Sequence, residues 1–147
     1  MRLTRFSDYS LRVLLYLALE QDKRVTIRRI SDAYGISRNH LMKVVSLLTR
    51  MDYLKAQRGP GGGIMLARAP AQINLAEVIR DTEEDLDMVE CFMVDGRCII
   101  SPACRLQHVI AEALDAFMET LAEYTLEDLL QPADELASLL GIPIKSA

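Results

Sequence analysis

No stretch of this sequence approaches the ~20 consecutive apolar residues that a membrane-spanning helix needs. The longest candidate, residues 11–19, is interrupted by Arg12 and lies close to the N-terminus. The opening residues Met1 to Arg5 lead into no apolar region with a small-residue cleavage site, so no secretory signal is read there. Cysteine is scarce, and an odd count of three without a signal excludes a disulfide framework. Catalytic signatures are missing as well. The run Gly59-Pro60-Gly61-Gly62-Gly63 continues as Ile64-Met65-Leu66, where a phosphate-binding loop needs Lys-Ser/Thr and then a helix. Dinucleotide, nucleophile-elbow and zinc-protease fingerprints do not occur. Glu83, Glu84 and Asp85 form a solvated charge run and not a catalytic pair. These absences predict a soluble, cytoplasmic protein that is not an enzyme.

Half of the 147 residues are apolar and 26% are charged, which excludes a disordered chain and suits one domain with its own core. The net charge of −4 hides two opposed segments. Residues 1–80 hold 14 Lys and Arg against 6 Asp and Glu, whereas residues 81–147 hold 3 against 15. Only the first segment is suited to meet a polyanion.

Ser7 or Asp8 is expected to cap a first helix that runs to about Leu19, with Leu11, Leu14, Leu15 and Ala18 at helical spacing. Thr26 caps a second helix, Ile27 to Tyr34, which Gly35 stops from just past its end. Ile36 then docks on the core, and Ser37 caps a third helix through about Met51. Leu41, Val44, Val45 and Leu48 form the buried stripe of that helix, leaving Arg38, Asn39, His40, Lys43, Ser46 and Arg50 nearer the surface. This pair of helices reads as a helix-turn-helix. Strand-like runs at 53–58 and 64–67 flank the glycine-rich turn and read as a hairpin. The fold class is therefore mainly α with a small β-hairpin wing, and residues 1–80 form a winged helix-turn-helix.

Helix-turn-helix geometry also occurs in proteins that never touch DNA, and the basic balance decides for double-stranded DNA here. The third helix is expected in the major groove, with Ser37, Arg38, Asn39, His40 and Lys43 facing the operator. Arg58, Gly61 and Gly62 of the wing follow phosphates, and Arg2 and Arg28 complete the DNA-facing set.

Leu75 to about Thr82 forms a short helix, and residues 81–104 form an acidic, cysteine-bearing loop. From Pro102 to about Tyr124 a long helix carries Leu106, Val109, Ile110, Ala113, Leu114, Phe117, Leu121 and Tyr124 on a broad stripe. Thr125 caps a following helix, Leu126 to Leu130, and Pro132 starts another that ends at Gly141. The stripe lies far from the winged helix and must be buried by something. Homodimerisation through residues 102–147 is the economical answer, because two-fold readers match two half-sites, and packing within one subunit is the alternative.

Cys91, Cys98 and Cys104 are separated by six and five residues and share a stretch of fourteen. Three thiolates on one compact loop suit a metal centre that takes its fourth ligand elsewhere, either an iron–sulfur cluster or zinc. Buried structural cysteines are the competing reading, weakened by the loop-forming Gly96 and Pro102. His108 follows Cys104 by four residues, so a Cys₃His zinc site on one helix face is also geometrically possible.

Four segments resemble a known family: Leu3-Thr4-Arg5-Phe6-Ser7-Asp8-Tyr9-Ser10-Leu11-Arg12, Gly35-Ile36-Ser37-Arg38-Asn39-His40-Leu41, the wing Arg58-Gly59-Pro60-Gly61-Gly62-Gly63-Ile64, and Ser101-Pro102-Ala103-Cys104-Arg105-Leu106. They are similar to the NsrR-type nitric-oxide-sensing repressors, within a bacterial family of dimeric winged-helix regulators that includes the iron–sulfur assembly regulator IscR. The resemblance implies an iron–sulfur cluster, 4Fe–4S or 2Fe–2S, held by Cys91, Cys98 and Cys104. It also implies an acidic ligand falling on Asp8, supplied by the opposite subunit, and repression of genes for nitric-oxide detoxification. The six-residue interval between Cys91 and Cys98 is longer than the family pattern. Other readings are control of cluster assembly or of cysteine metabolism, and a zinc-stabilised DNA-binding or interaction module. A thiol-redox enzyme would be expected to carry a Cys-x-x-Cys pair, which is absent.

Overall fold

Thr4, Ser7 and Asp8 all have side chains that cap helices well, and tertiary context chooses between them. In the computed structural model, which describes residues 2–21, 23–93 and 95–144, Thr4 is extended and its side chain accepts the Ser7 N–H at 3.2 Å. The first helix, α1, therefore spans Arg5–Glu20, one turn earlier than its sequence suggests. Ser7 lies inside it and is fully buried, and Asp8 sits in its first turn. The reason is packing: Ser7 is required against another helix.

The helix-turn-helix follows the sequence closely. Thr26 caps α2 (Ile27–Tyr34) by accepting from Arg29 N–H, and Ser37 caps α3 (Arg38–Arg50) by accepting from His40 N–H. Gly35 adopts φ +66, the left-handed conformation that ends a helix at little cost only for glycine. Ser31 Oγ tightens the turn by donating to Ile36 O at 2.6 Å.

Two antiparallel strands form the wing, β1 (Leu54–Gln57) and β2 (Gly63–Leu66), with Leu54 opposite Leu66 and Gln57 opposite Gly63. Val25, in the α1–α2 connection, adds an isolated bridge to Ile64, exchanging hydrogen bonds of 2.9 and 2.8 Å. That approach explains Gly63, because a Cβ there would stand 2.8 Å from the Val25 carbonyl oxygen. The main core gathers Val13, Leu14 and Leu17 of α1, Ile30 of α2, Leu41 and Leu48 of α3, and Tyr53 and Ile64 of the hairpin.

The next helix, α4 (Leu75–Thr82), crosses the boundary drawn at residue 80 and packs on α1. The long helix α5 spans Arg105–Ala122, shorter than expected at both ends. Pro102 belongs to a separate 3₁₀ turn, Ser101–Ala103, and Cys104 is extended. The C-terminal end of α5 is stitched to the start of α4: Leu126 N–H donates to Ile73 O at 2.8 Å and Asn74 Nδ2 to Ala122 O at 2.7 Å. Met118 is buried with Ala76 and Ile79, and Leu114, Phe117 and Leu121 pack beside them. Part of the stripe is thus buried within the chain. Leu106 and Val109 remain more than half exposed.

Thr125 does not cap the segment after α5. Asp128 Oδ2 instead accepts from Thr125 N–H at 2.7 Å and Thr125 Oγ1 at 2.8 Å, and these bonds hold its carboxyl below the usual range. The expected helix at 126–130 is a 3₁₀ turn, Glu127–Leu130. The last helix, α6, spans Ala133–Leu139 behind Pro132, and Gly141 follows with φ +65. Of the sequence assigned to the C-terminal unit, residues 145–147 lie outside the described residues.

The Tyr34 hydroxyl is buried and has no hydrogen-bond partner among the described residues. Its ring meets Tyr16 edge-on at 6.2 Å and lies 5.8 Å from the Arg12 guanidinium. Burial pushes its pKa up to about 12. An unfolded chain releases this proton near pH 10 and the folded chain holds it to about 12, so the contribution is fully present below pH 10 and is lost as pH rises from about 10 to about 12. Tyr34→Phe removes the ionisable group without breaking a hydrogen bond. Chemical denaturation between pH 7 and pH 12 should show unchanged or higher stability at pH 7 and a shallower alkaline decline than the wild type.

Candidate nucleic-acid interface and cysteine segment

Because Leu41, Val44, Val45 and Leu48 are drawn into the core, the opposite face of α3 is left to solvent. Asn39, Lys43, Ser46 and Arg50 follow one another at intervals of four, three and four residues and form one continuous row. They line a shallow concavity with Phe6, Met42 and Leu47. A second groove separates α3 from the wing and is lined by Met42, Ser46, Arg58 and Gly62, with Thr26 at one end. Gly62 is required by close approach, since a Cβ would stand 2.4 Å from the Gln57 carbonyl oxygen. Arg58 and Gly61 are exposed near the wing tip.

The expected DNA-facing set divides on this frame. Asn39, Lys43, Arg58 and Gly62 are brought together around α3 and the wing. Arg38 is exposed on the first turn of α3. Ser37 uses its hydroxyl on the helix cap, and the His40 ring lies 6.2 Å from that of Tyr9 on α1, to one side of the row. Arg28 is exposed on α2 and faces Asp32 at 3.7 Å. Arg2 is not gathered with the others; it lines a cleft with Leu3, Thr4, Glu83, Asp85 and Phe117. Ser46 and Arg50 belong to the row but not to the expected set, although their spacing from Asn39 and Lys43 already marks the same face.

Between α4 and α5 the described residues make two 3₁₀ turns, Glu90–Phe92 and Ser101–Ala103, and no α-helix. Cys91 lies in the first turn, Cys98 precedes the second, and Cys104 occupies the N-cap position of α5 without a side-chain capping bond. All three thiols are free and half-buried. Gln107 Nε2 donates to Cys91 O at 3.3 Å, which fastens the first turn to α5. A Cβ at Gly96 would stand 2.2 Å from Glu90 O, so the chain doubles back tightly there.

Among the described residues no three Cys, His, Asp or Glu side chains converge as a metal site within one chain. Cys104 stands at the N-cap of α5 with extended backbone, one turn before His108. His108 is exposed. Asp8 is not a helix cap: Oδ1 accepts from Arg12 Nε at 3.0 Å, and Oδ2 lies 3.0 Å from an Arg12 terminal nitrogen.

A family model described as "Rrf2: Iron-dependent Transcriptional regulator" matches residues 3–132. Two proteins named HTH-type transcriptional regulator NsrR are similar over nearly the whole chain. That of Bacillus licheniformis is 47% identical over 96% of this chain and 100% of the relative. That of Bacillus subtilis is 46% identical over 95% of this chain and 97% of the relative. Among solved structures, T. potens IscR superposes with a TM-score of 0.74 at 23% identity, covering 92% of this chain and 90% of that one, which speaks to the fold alone. CymR, the global cysteine regulator of B. subtilis, gives 0.68 at 25% identity, covering 89% and 97%. A winged helix with a polar, partly basic reading face and a match along most of its length places the chain in the Rrf2 family of transcriptional regulators, which are not enzymes.

Proposed function

We propose that this chain is a homodimeric repressor whose affinity for operator DNA is set by an iron–sulfur cluster, with nitric oxide as the effector. The observation that carries this reading is the cysteine segment: three uncommitted thiols, one on each turn or turn boundary between α4 and α5, in a regulator of a family described as iron-dependent. The relatives named NsrR support the nitric-oxide assignment. Regulators of cluster or cysteine supply share the fold, but their likeness is too distant to assign the signal.

The donor set fits the cluster, because thiolates are its usual protein ligands. Cys91, Cys98 and Cys104 would hold it, and Gln107 would keep the Cys91 turn against α5. The fourth ligand is assigned to Asp8 of a second copy, which must first leave Arg12; His108 is the next candidate. Bound, the cluster would supply iron that nitric oxide can attack. The exposed Leu106 and Val109 on α5 suit the two-fold contact that such sharing needs. The protein would act where the chromosome is, in the cytoplasm.

Purification without oxygen tests the cofactor. The protein should be brown, with iron and sulfide in stoichiometric amounts and operator binding abolished by nitric oxide. A colourless protein holding one equivalent of zinc would overturn the reading. Each of Cys91→Ser, Cys98→Ser and Cys104→Ser should lose the visible absorbance and remain folded, because none of these residues belongs to the winged-helix core. Full iron content in any one variant would remove that cysteine from the ligand set.

Docking of α3 in the major groove makes a separate prediction. Arg38→Ala should cost ~1–3 kcal/mol at one base pair, since Arg reads guanine bidentately. Lys43→Ala and Arg58→Ala should weaken all sequences alike and lower the slope of log affinity against log salt by about one each. Binding isotherms over a salt series on operators selected from a random pool would measure both effects.

A further inference from the structure

Asp81, Thr82 and Glu83, at the C-terminal end of α4, each reach a different part of the winged helix. Asp81 Oδ2 accepts from the Tyr53 hydroxyl at 2.7 Å. Thr82 Oγ1 lies 2.8 Å from Ser7 Oγ and 2.7 Å from the Val78 carbonyl oxygen, and Thr82 and Ser7 are both buried. Glu83 Oε1 accepts from Thr4 N–H at 2.8 Å and from Thr4 Oγ1 at 3.1 Å. The segment that carries the cysteines begins with the next residue, and its described residues contain no α-helix until Arg105.

The direction of the hydroxyl protons follows from the carboxylate. An ionised Glu83 only accepts, so Thr4 Oγ1 must direct its single proton there. Thr4 Oγ1 is then an acceptor for Ser7, whose Oγ lies 3.3 Å away and whose N–H lies 3.2 Å away. Ser7 Oγ in turn lies 2.8 Å from Thr82 Oγ1, whose single proton is divided between Ser7 Oγ and the Val78 carbonyl oxygen at 2.7 Å. Three hydroxyls in contact thus run from α4 through the first turn of α1 and back to Glu83. Because Thr4 is the cap of α1, this chain holds the start of the helix that carries Asp8.

Asp81 extends the grip to the reading helix. Tyr53 sits between α3 and β1, and its ring lies 4.3 Å from the Arg68 guanidinium. Arg68 donates to the carbonyls of Asp52 and Met51, each at 3.0 Å, just past the end of α3. A displacement of the residues after Glu83 therefore pulls on the cap of α1 and on the end of α3 together. Anchoring α4 does not require these bonds, since Ala76, Val78 and Ile79 are already buried. Satisfied polar networks in such an interface fix one arrangement of the packed elements.

We propose that Asp81, Thr82 and Glu83 are positioning residues that relay the state of the cysteine segment to α1, α3 and the wing; the relay rests on the cluster-controlled reading above. Hydrogen exchange of the full-length, metal-free protein, measured before and after alkylation of its three thiols, tests the relay without the cluster. In the wild type, alkylation should speed exchange at residues 5–12 and 54–66 by about fivefold or more, the lower end of ordinary coupling between sites. The Asp81→Asn/Thr82→Val variant should show no such response, Asp81→Asn alone a reduced one, and Thr82→Ser, which keeps the hydroxyl, the wild-type one. Unchanged exchange at those residues in alkylated wild type overturns the relay.

The second measurement is the ratio of operator affinities of cluster-loaded and chelator-stripped protein. It should fall about fivefold or more in the double variant, with the visible absorbance of the loaded form unchanged. A double variant that keeps both the full ratio and the exchange response overturns the relay. A wild-type ratio of one would instead overturn the cluster-controlled reading, and the exchange comparison then decides the relay by itself.

Discussion

Helix α1 is packed from two sides, and this double burial is the constraint on which the other elements depend. Val13, Leu14 and Leu17 enter the core shared with α2, α3 and the wing, while Ser7 and Leu11 meet α4 and the cluster beneath α5. Each fully buried aliphatic side chain contributes roughly 1.5–3 kcal/mol, so the position of α1 is set by the first face. The second face then tells α4 where to lie. The reading helix and the cysteine segment never need to touch, because both are referenced to the same helix.

The polar groups near α1 have a different task from the apolar ones. Glu20 at its C-terminal end is buried with its carboxylate between Arg29 and Lys23, which ties α1 to α2 and to the connection between them. At the other end Asp8 holds Arg12, whose guanidinium lies beside the Tyr34 ring of α2. The buried Glu20 is left with an uncompensated charge if its partners are removed, whereas the exposed Asp8–Arg12 pair contributes at most about 1 kcal/mol. They make the orientation of the helix-turn-helix on α1 specific.

Charge segregation along the chain has a spatial counterpart. Lys43, Arg50 and Arg58 border the grooves beside α3, whereas Glu83, Asp85 and Asp87 line the cleft that holds Arg2. An acidic cleft repels a phosphate backbone, whereas the basic residues beside α3 and the wing attract one. Arg2 lines that same cleft, apart from the basic residues of α3 and the wing.

The helix-turn-helix was legible in the sequence because its signals are local. A cap such as Thr26 or Ser37 acts within three residues, Gly35 acts through its own backbone, and Leu41, Val44, Val45 and Leu48 recur with the helix period. The wing and the cysteine cluster in sequence were legible for the same reason. Elsewhere the decision lay with partners distant in sequence. Ser7 was the better-looking cap until Thr82, 75 residues away, claimed its hydroxyl and left Thr4 to cap α1. The stripe of α5 read as one surface, yet α4 takes Met118 and leaves Leu106 and Val109 uncovered. Tyr53 and Asp81 carry no local signal that they meet across 28 residues. Residue type and spacing by themselves determined the reading unit and the thiols. Only the tertiary structure decided which polar groups face one another, because such bonds depend on packing that no short stretch of chain contains.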